Sequence, residues 1–168
     1  MTYSADSPLL LAGATKTLTM ITAVGAGVAG GVFFAFSTFV MPALHRLPKP
    51  HGMAAMQSIN RAAPNPLFMA VLLGTGVLAV VVAVCGLRGR GPATPWLVVG
   101  AACYLAQIVL TVAYHVPHND ALAALEPAAP GSAAAWQHYY TGWTLLNHVR
   151  TIMSIAASSC FVLALRAD

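Results

Sequence analysis

The sequence predicts an all-α integral membrane protein, a four-helix bundle with two short extramembrane helices on one side. Three observations predict it. Hydrophobic residues make up 58% of the chain and charged residues 7%, against about a quarter charged in ordinary globular proteins. A surface so poor in charge would leave large apolar areas in water, so lipid is the natural solvent. The apolar residues fall into four runs, each near the ~20 residues that a helix needs to cross hydrocarbon. Proline, asparagine and arginine punctuate those runs where helices should start and stop. The length suits a single domain spanning residues 1–168.

The first span is expected at residues 17–41, between Lys16 and Pro42, and it is read as a retained helix, too long for a signal-peptide core. The second, 66–87, opens at Asn65-Pro66, a capping Asn followed by Pro in the first turn, and stops before Arg88-Gly89-Arg90. The third, 95–115, repeats that start as Thr94-Pro95; the fourth is expected at 143–165. Two connections are long. One, Ala43 to Pro64, holds Pro48, Pro50 and a short helical stretch around Met53 to Arg61. The other, Val116 to Tyr140, holds a short helix from Asp120 to Glu126 capped by Asn119, with Ser132 as the cap of the helix that becomes span four. Trp136, Tyr139, Tyr140 and Trp143 sit where that helix should meet the interface, the pattern of an aromatic belt.

Several function classes are excluded by composition. The net charge of +4 is spread thinly with no basic run, so nucleic acid is not an expected partner. Cys85, Cys103 and Cys160 lie singly in apolar segments, without disulfide or zinc spacing. There is no phosphate-binding glycine loop and no GxSxG elbow. Gly27 and Gly31 form a small-xxx-small pair, which reads as close packing within the bundle or, alternatively, as a homo-oligomer contact. Of Phe33, Phe34, Phe36 and Phe39, which cannot share one helical face, some should meet lipid and others line an apolar pocket.

Four spans put both long connections on one side and the termini and the Arg88–Thr94 loop on the other. His45, His51, His115, His118 and His138 then gather toward the long-connection face, with His148 about two turns inside span four. Lys16, Arg88, Arg90 and Arg166 face Arg46, Lys49 and Arg61 across the membrane. That margin of one places the long connections on the non-cytoplasmic side under the positive-inside rule.

Polar residues within spans are the candidates for chemistry. Span three carries Tyr104, Gln107, Thr111 and Tyr114 as one stripe, and span four carries Asn147, His148, Arg150, Thr151, Ser154 and Ser158 on a broad face. In lipid such groups must find partners, so both stripes should point inward. Arg150 stands apart. An unpaired arginine at depth costs at least ~2.5 kcal/mol, and none of Asp6, Asp120, Glu126 or Asp168 lies inside a span. Either Asp120 folds inward to meet it, or Arg150 faces a hydrated cavity or an anionic ligand. His148 stands two residues away. His115-Val-Pro-His118-Asn119-Asp120 packs two imidazoles, an amide and a carboxylate into six residues. As a metal motif it is weak, because Pro117 should break the helix that would align the imidazoles. His115, His118, Asp120 and His148 are the ligand set if iron, copper or zinc is held at all.

The run Gly31-Val-Phe-Phe-Ala-Phe-Ser-Thr-Phe-Val-Met-Pro-Ala-Leu44, then Met56-Gln-Ser-Ile-Asn60-Arg61 and Asn65-Pro-Leu-Phe68, resembles the anthrone oxygenase family. The resemblance continues through Val116-Pro-His-Asn119-Asp-Ala-Leu122 and Trp143-Thr-Leu-Leu-Asn147-His148-Val-Arg150-Thr151, covering nearly the whole chain. It implies a four-helix membrane protein of a bacterial cell membrane. It also implies conversion of anthrones to anthraquinones, as in polyketide pathways, with O₂ as co-substrate and no organic cofactor or metal. One motif departs. The family's third-span pattern usually reads Asn-Val-Pro-Xaa-Asn, whereas His115 replaces the first Asn here and His118 fills the variable position.

The expected reaction is oxygenation of an anthrone-like phenolic polycyclic through a base-generated carbanion. His148 is the first candidate for the base and His115 or His118 the second, since neutral imidazole suits that work near pH 7. Arg150 would stabilise the anions, and Asn119, Asn147, Trp143, Gln107 and Tyr104 would bind the substrate. The alternatives are a non-catalytic protein binding a small hydrophobe or a metal, and a His-ligated oxidase that uses iron or copper.

Overall fold

The computed structural model describes residues 6–167, with side chains from Gly13 onward. All described elements are helical: α1 (Asp6–Ala35), α2 (Met41–Arg46), α3 (Lys49–Ala62), α4 (Pro66–Gly89), α5 (Thr94–Leu110), α6 (Val116–Ala123) and α7 (Ser132–Ala167). A π-helical turn, Phe36–Val40, joins α1 to α2, and a second, Thr111–His115, joins α5 to α6. Four continuous helical stretches are long and apolar enough to cross a membrane: Gly13–Arg46, Pro66–Gly89, Thr94–Ala123 and Ser132–Ala167. Their outer faces are apolar, with Val24, Val77, Val109, Leu145 and Ile152 all exposed. This is an integral membrane four-helix bundle.

The far ends of spans one and three differ from expectation for one reason, while span one also begins before Lys16. Pro42 does not end the first span, nor Pro117 the third. Each proline follows a π turn in which the preceding residue bonds five positions back, Met41 N–H to the Phe36 carbonyl and Val116 N–H to the Thr111 carbonyl. A proline brings no N–H and crowds the carbonyl four residues earlier. The wider turn absorbs this, and the helix continues. Of the helix expected at Asp120 to Glu126, only Asp120 to Ala123 is helical, and it is the end of span three. Asn119 lies inside it and caps nothing.

The bundle interior is built from small residues, with Ala23, Ala26, Ala29, Ala79, Ala101 and Ala157 packed around Phe33, Leu72, Tyr104 and Phe161. Of the expected Gly27/Gly31 packing pair, Gly27 faces α7, where a Cβ would meet Ser158 Oγ at 3.4 Å, and Gly31 does not pack. A Cβ on Gly31 would meet nothing within 4 Å, whereas one on Gly30 would press on Ser154 at 3.2 Å, and one on Gly25 would collide with Thr75. Those two glycines let span one approach α7 and α4.

A second core lies under α2 and α3, where Met41, Met53, Met56, Leu122, Trp136, Tyr139 and Trp143 pack together. Trp136, Tyr139 and Trp143 are thus buried and form no interfacial belt; the two short helices cover them. Gln57 fastens that cover, donating from Nε2 to the Leu122 and Leu125 carbonyls at 2.9 Å each. Asn65 caps α4 as expected, its Oδ1 accepting from the Phe68 N–H at 3.0 Å. Thr94 does not cap α5 and donates instead to the Gly86 carbonyl at 2.8 Å. Ser132 donates to the Glu126 carbonyl at 2.6 Å, closing the loop into α7.

The bonds of Gln57 hold the two connections together at one end of the bundle, so they should share a compartment. In a cysteine-free background, Pro50→Cys and Pro130→Cys are expected to label from one side of the membrane and Gly91→Cys from the other. Labelling of Gly91→Cys and Pro130→Cys from the same side would overturn the four-span topology.

Candidate active site

A cavity of about 450 Å³ lies between the bundle and the covering helices, within the ~300–1,000 Å³ usual for small-molecule sites. Its walls are mostly apolar. Phe33 and Phe36 come from span one, Phe68, Met69 and Leu72 from α4, and Met56 from α3. Phe34 and Phe39 face outward. The polar groups are few: Asn60, Asn65, Thr111, His115, Asn119, Asn147 and Arg150, with Trp143 beside them.

The orientation of both inner amides follows from their partners. The indole N–H of Trp143 can only donate, so the Asn119 atom 3.0 Å from it is the oxygen. That oxygen also accepts from the Tyr139 hydroxyl at 2.8 Å, which in turn accepts from Asn60 Nδ2 at 3.3 Å. Asn147 is the reverse case. Its partner at 2.7 Å is the Phe33 carbonyl, which only accepts, so this atom is Nδ2, and it donates to Ser37 Oγ at 2.8 Å as well. Both N–H bonds of Asn147 are committed, and its Oδ1 is buried without a partner.

His115 is 1% exposed. Its ring stands edge-on to Trp143 with centroids 5.1 Å apart, and edge-on to Tyr114 at 5.5 Å. Nδ1 lies 3.4 Å from the Leu110 carbonyl, to which it can only donate, and Nε2 is buried without a hydrogen-bond partner. Arg150 is 6% exposed and lays its guanidinium over the Phe33 ring, 3.8 Å from the centroid. Its Nε is also unpartnered. Among the described side chains no carboxylate pairs with it: Asp120 and Glu126 are exposed, while the side chains of Asp6 and Asp168 lie outside the described set. The expected alternative of Asp120 folding inward to meet Arg150 is therefore corrected.

Leaving a buried polar atom unpaired costs ~1–3 kcal/mol. Here three cavity-lining residues, His115, Asn147 and Arg150, each keep one. His115, Asn147 and Arg150 line the wall, and each keeps its unpaired atom, His115 Nε2, Asn147 Oδ1 or Arg150 Nε, covered by neighbouring side chains.

The profile of the anthrone oxygenase family matches residues 57–160, more than half of the chain. The chain belongs to the anthrone oxygenase family. Searches of curated proteins and of solved structures find no match. Within this family member, the matched region carries His115, Asn119, Trp143, Asn147 and Arg150, whereas Phe33, Phe36 and Ser37 lie before it.

Five of the residues picked out from the sequence therefore line one cavity: His115, Asn119, Trp143, Asn147 and Arg150. Four do not. His148 is exposed on the outer surface of α7, because residues two apart on a helix are ~200° apart. His118 stacks on Tyr114 at 3.8 Å, and its Nδ1 meets the Tyr114 carbonyl at 2.7 Å. Tyr104 donates to the Leu72 carbonyl at 3.1 Å, a bond between helices. Gln107 is buried beneath, its oxygen 3.5 Å from the Thr111 hydroxyl. The ligand set His115, His118, Asp120 and His148 does not assemble, and no three His, Cys, Asp or Glu side chains converge among the described residues. Sequence reasoning misses Asn60, Ser37 and Tyr139 as site residues; Asn60 and Ser37 carry no charge or periodicity that would mark them.

Proposed function

We propose that this protein oxidises an anthrone-like phenolic polycyclic with O₂ to the corresponding quinone. The observation that supports this reading is a mostly apolar cavity lined by His115, Asn147 and Arg150, each of which keeps one buried polar atom without a hydrogen-bond partner. His115 Nε2 removes a proton from the methylene opposite the ketone. The electron pair passes into the ring system as an enolate, whose oxygen Arg150 and the Asn119 amide N–H stabilise where water competes poorly. A phenolic hydroxyl donates to Asn147 Oδ1. The carbanion gives its electrons to O₂, forming a C–O bond and a hydroperoxide. Loss of the remaining C–H proton then breaks the O–O bond, leaving the new carbonyl and water. The substrate is the reductant throughout, so the reaction needs no organic cofactor or metal.

The test is oxygen uptake by purified protein in nanodiscs supplied with anthrone. One O₂ is expected per quinone, with one labelled atom from ¹⁸O₂ in the new carbonyl, and chelation should leave the rate unchanged. Affinity without turnover would replace this reading with a hydrophobe-binding protein. Stoichiometric iron or copper whose removal abolishes uptake would replace it with a metal-dependent oxidase.

A further inference from the structure

The two π turns both sit where the cavity takes its polar groups. The first contains Ser37, which holds Asn147 Nδ2 at 2.8 Å, and Phe36, which lines the wall. The second begins at Thr111 and ends at His115, both in the wall. Each is followed at once by a residue and a proline, Met41-Pro42 and Val116-Pro117. Neither proline lines the cavity. The same device occurs on two spans and serves the same site.

The second turn acts on His115 directly. In an α-helix the ring of residue i sits over the turn at i−3 and i−4. Here Nδ1 reaches the carbonyl of Leu110, five positions back, in step with the widened register. That contact leaves Nε2 as the bare ring nitrogen. Pro117 offers no N–H to the Ala113 carbonyl and excludes an ordinary α turn there. We propose that Pro117 is a positioning residue, holding the π turn that gives His115 the Leu110 carbonyl and leaves the basic nitrogen of this cavity-lining ring without a hydrogen-bond partner. This rests on the reading of His115 as the base. Restoring α geometry would shift the register by one residue, which turns a side chain by ~100°.

The test combines kinetics with a spectroscopic readout of the ring. Pro117→Ala is expected to lower kcat by about 10²-fold, the cost of a misplaced reacting group. KM and the affinity for anthraquinone should stay at parental values, because the cavity walls are unchanged. In ¹⁵N spectra of histidine-labelled protein, His115 of the parent should carry its proton on Nδ1, and the Pro117→Ala protein should lose that preference. Parental kcat in Pro117→Ala would overturn the inference while an inactive His115→Ala left the base assignment standing. Full activity of His115→Ala would instead remove the base assignment itself. If Pro117→Ala does not fold, the parent spectrum decides, since a proton on Nε2 of His115 contradicts the proposed role.

Discussion

His115→Ala is expected to lower turnover by the ~10²- to 10⁴-fold typical of losing a general base, with anthraquinone affinity retained. The ring is wedged edge-on between Tyr114 and Trp143, and its Nε2 makes no bond to the protein. Its removal breaks the long contact to the Leu110 carbonyl and opens a small space beside an existing cavity. Folding should suffer less than catalysis. His148→Ala provides the comparison. Its side chain is on the outer face of α7, so the rate should not change. His115→Asn is more informative still, because it restores the residue that the family pattern usually carries there. An amide cannot take the proton, so this variant should be as slow as His115→Ala. Initial rates of quinone formation, each beside an anthraquinone titration, separate chemistry from binding. An asparagine variant with parental turnover would show that His115 is not the base and that proton removal belongs to another group.

The parts of this protein that are legible in its sequence are those dictated by solvent. Apolar runs with few charges can only be bilayer helices, and the parity of four spans gathers the long connections at one end. Arg150 and Asn147 stand out because a polar group in such a helix needs a reason to be there. What escapes is angular and tertiary. Spacing alone puts His148 and Arg150 on one broad face, but a helix turns ~100° per residue, and Arg150 faces the cavity while His148 faces out. Pro42 and Pro117 obey a rule that ends helices in water, yet a neighbouring bundle lets a π turn absorb them. Trp136, Tyr139 and Trp143 match an aromatic belt and a buried core equally well in sequence. The cover made by α2 and α3, fastened through Gln57, decides between the two. Asn119 likewise reads as a cap until Tyr139 and Trp143 are seen donating to its oxygen.

Arg150→Leu is expected to abolish oxygen uptake while leaving the bundle at least as stable as the parent. A buried arginine costs ~2.5–3.5 kcal/mol on the insertion scale. Its stacking on Phe33 returns ~0.5–2 kcal/mol, and among the described side chains no carboxylate adds to that. Leucine removes the cost of burying the charge and forfeits only the weaker stacking, so the melting temperature should hold or rise. The chemistry has no such compensation. Without a cation beside the developing enolate, turnover should fall by the ~10²- to 10³-fold that follows loss of an oxyanion donor. Arg150→Lys tests the geometry. It keeps the charge but loses both the planar stack on Phe33 and the fork that can hold two oxygens at once. It should fall between parent and leucine in rate. Thermal stability and oxygen uptake must be read on the same detergent-purified samples. A leucine variant that unfolds, together with a fully active Arg150→Lys, would make Arg150 a structural residue whose partner is protein. A leucine variant that stays folded and turns over at the parental rate would remove the cation from the mechanism. A folded and inactive leucine variant is the result that a ligand-facing arginine requires.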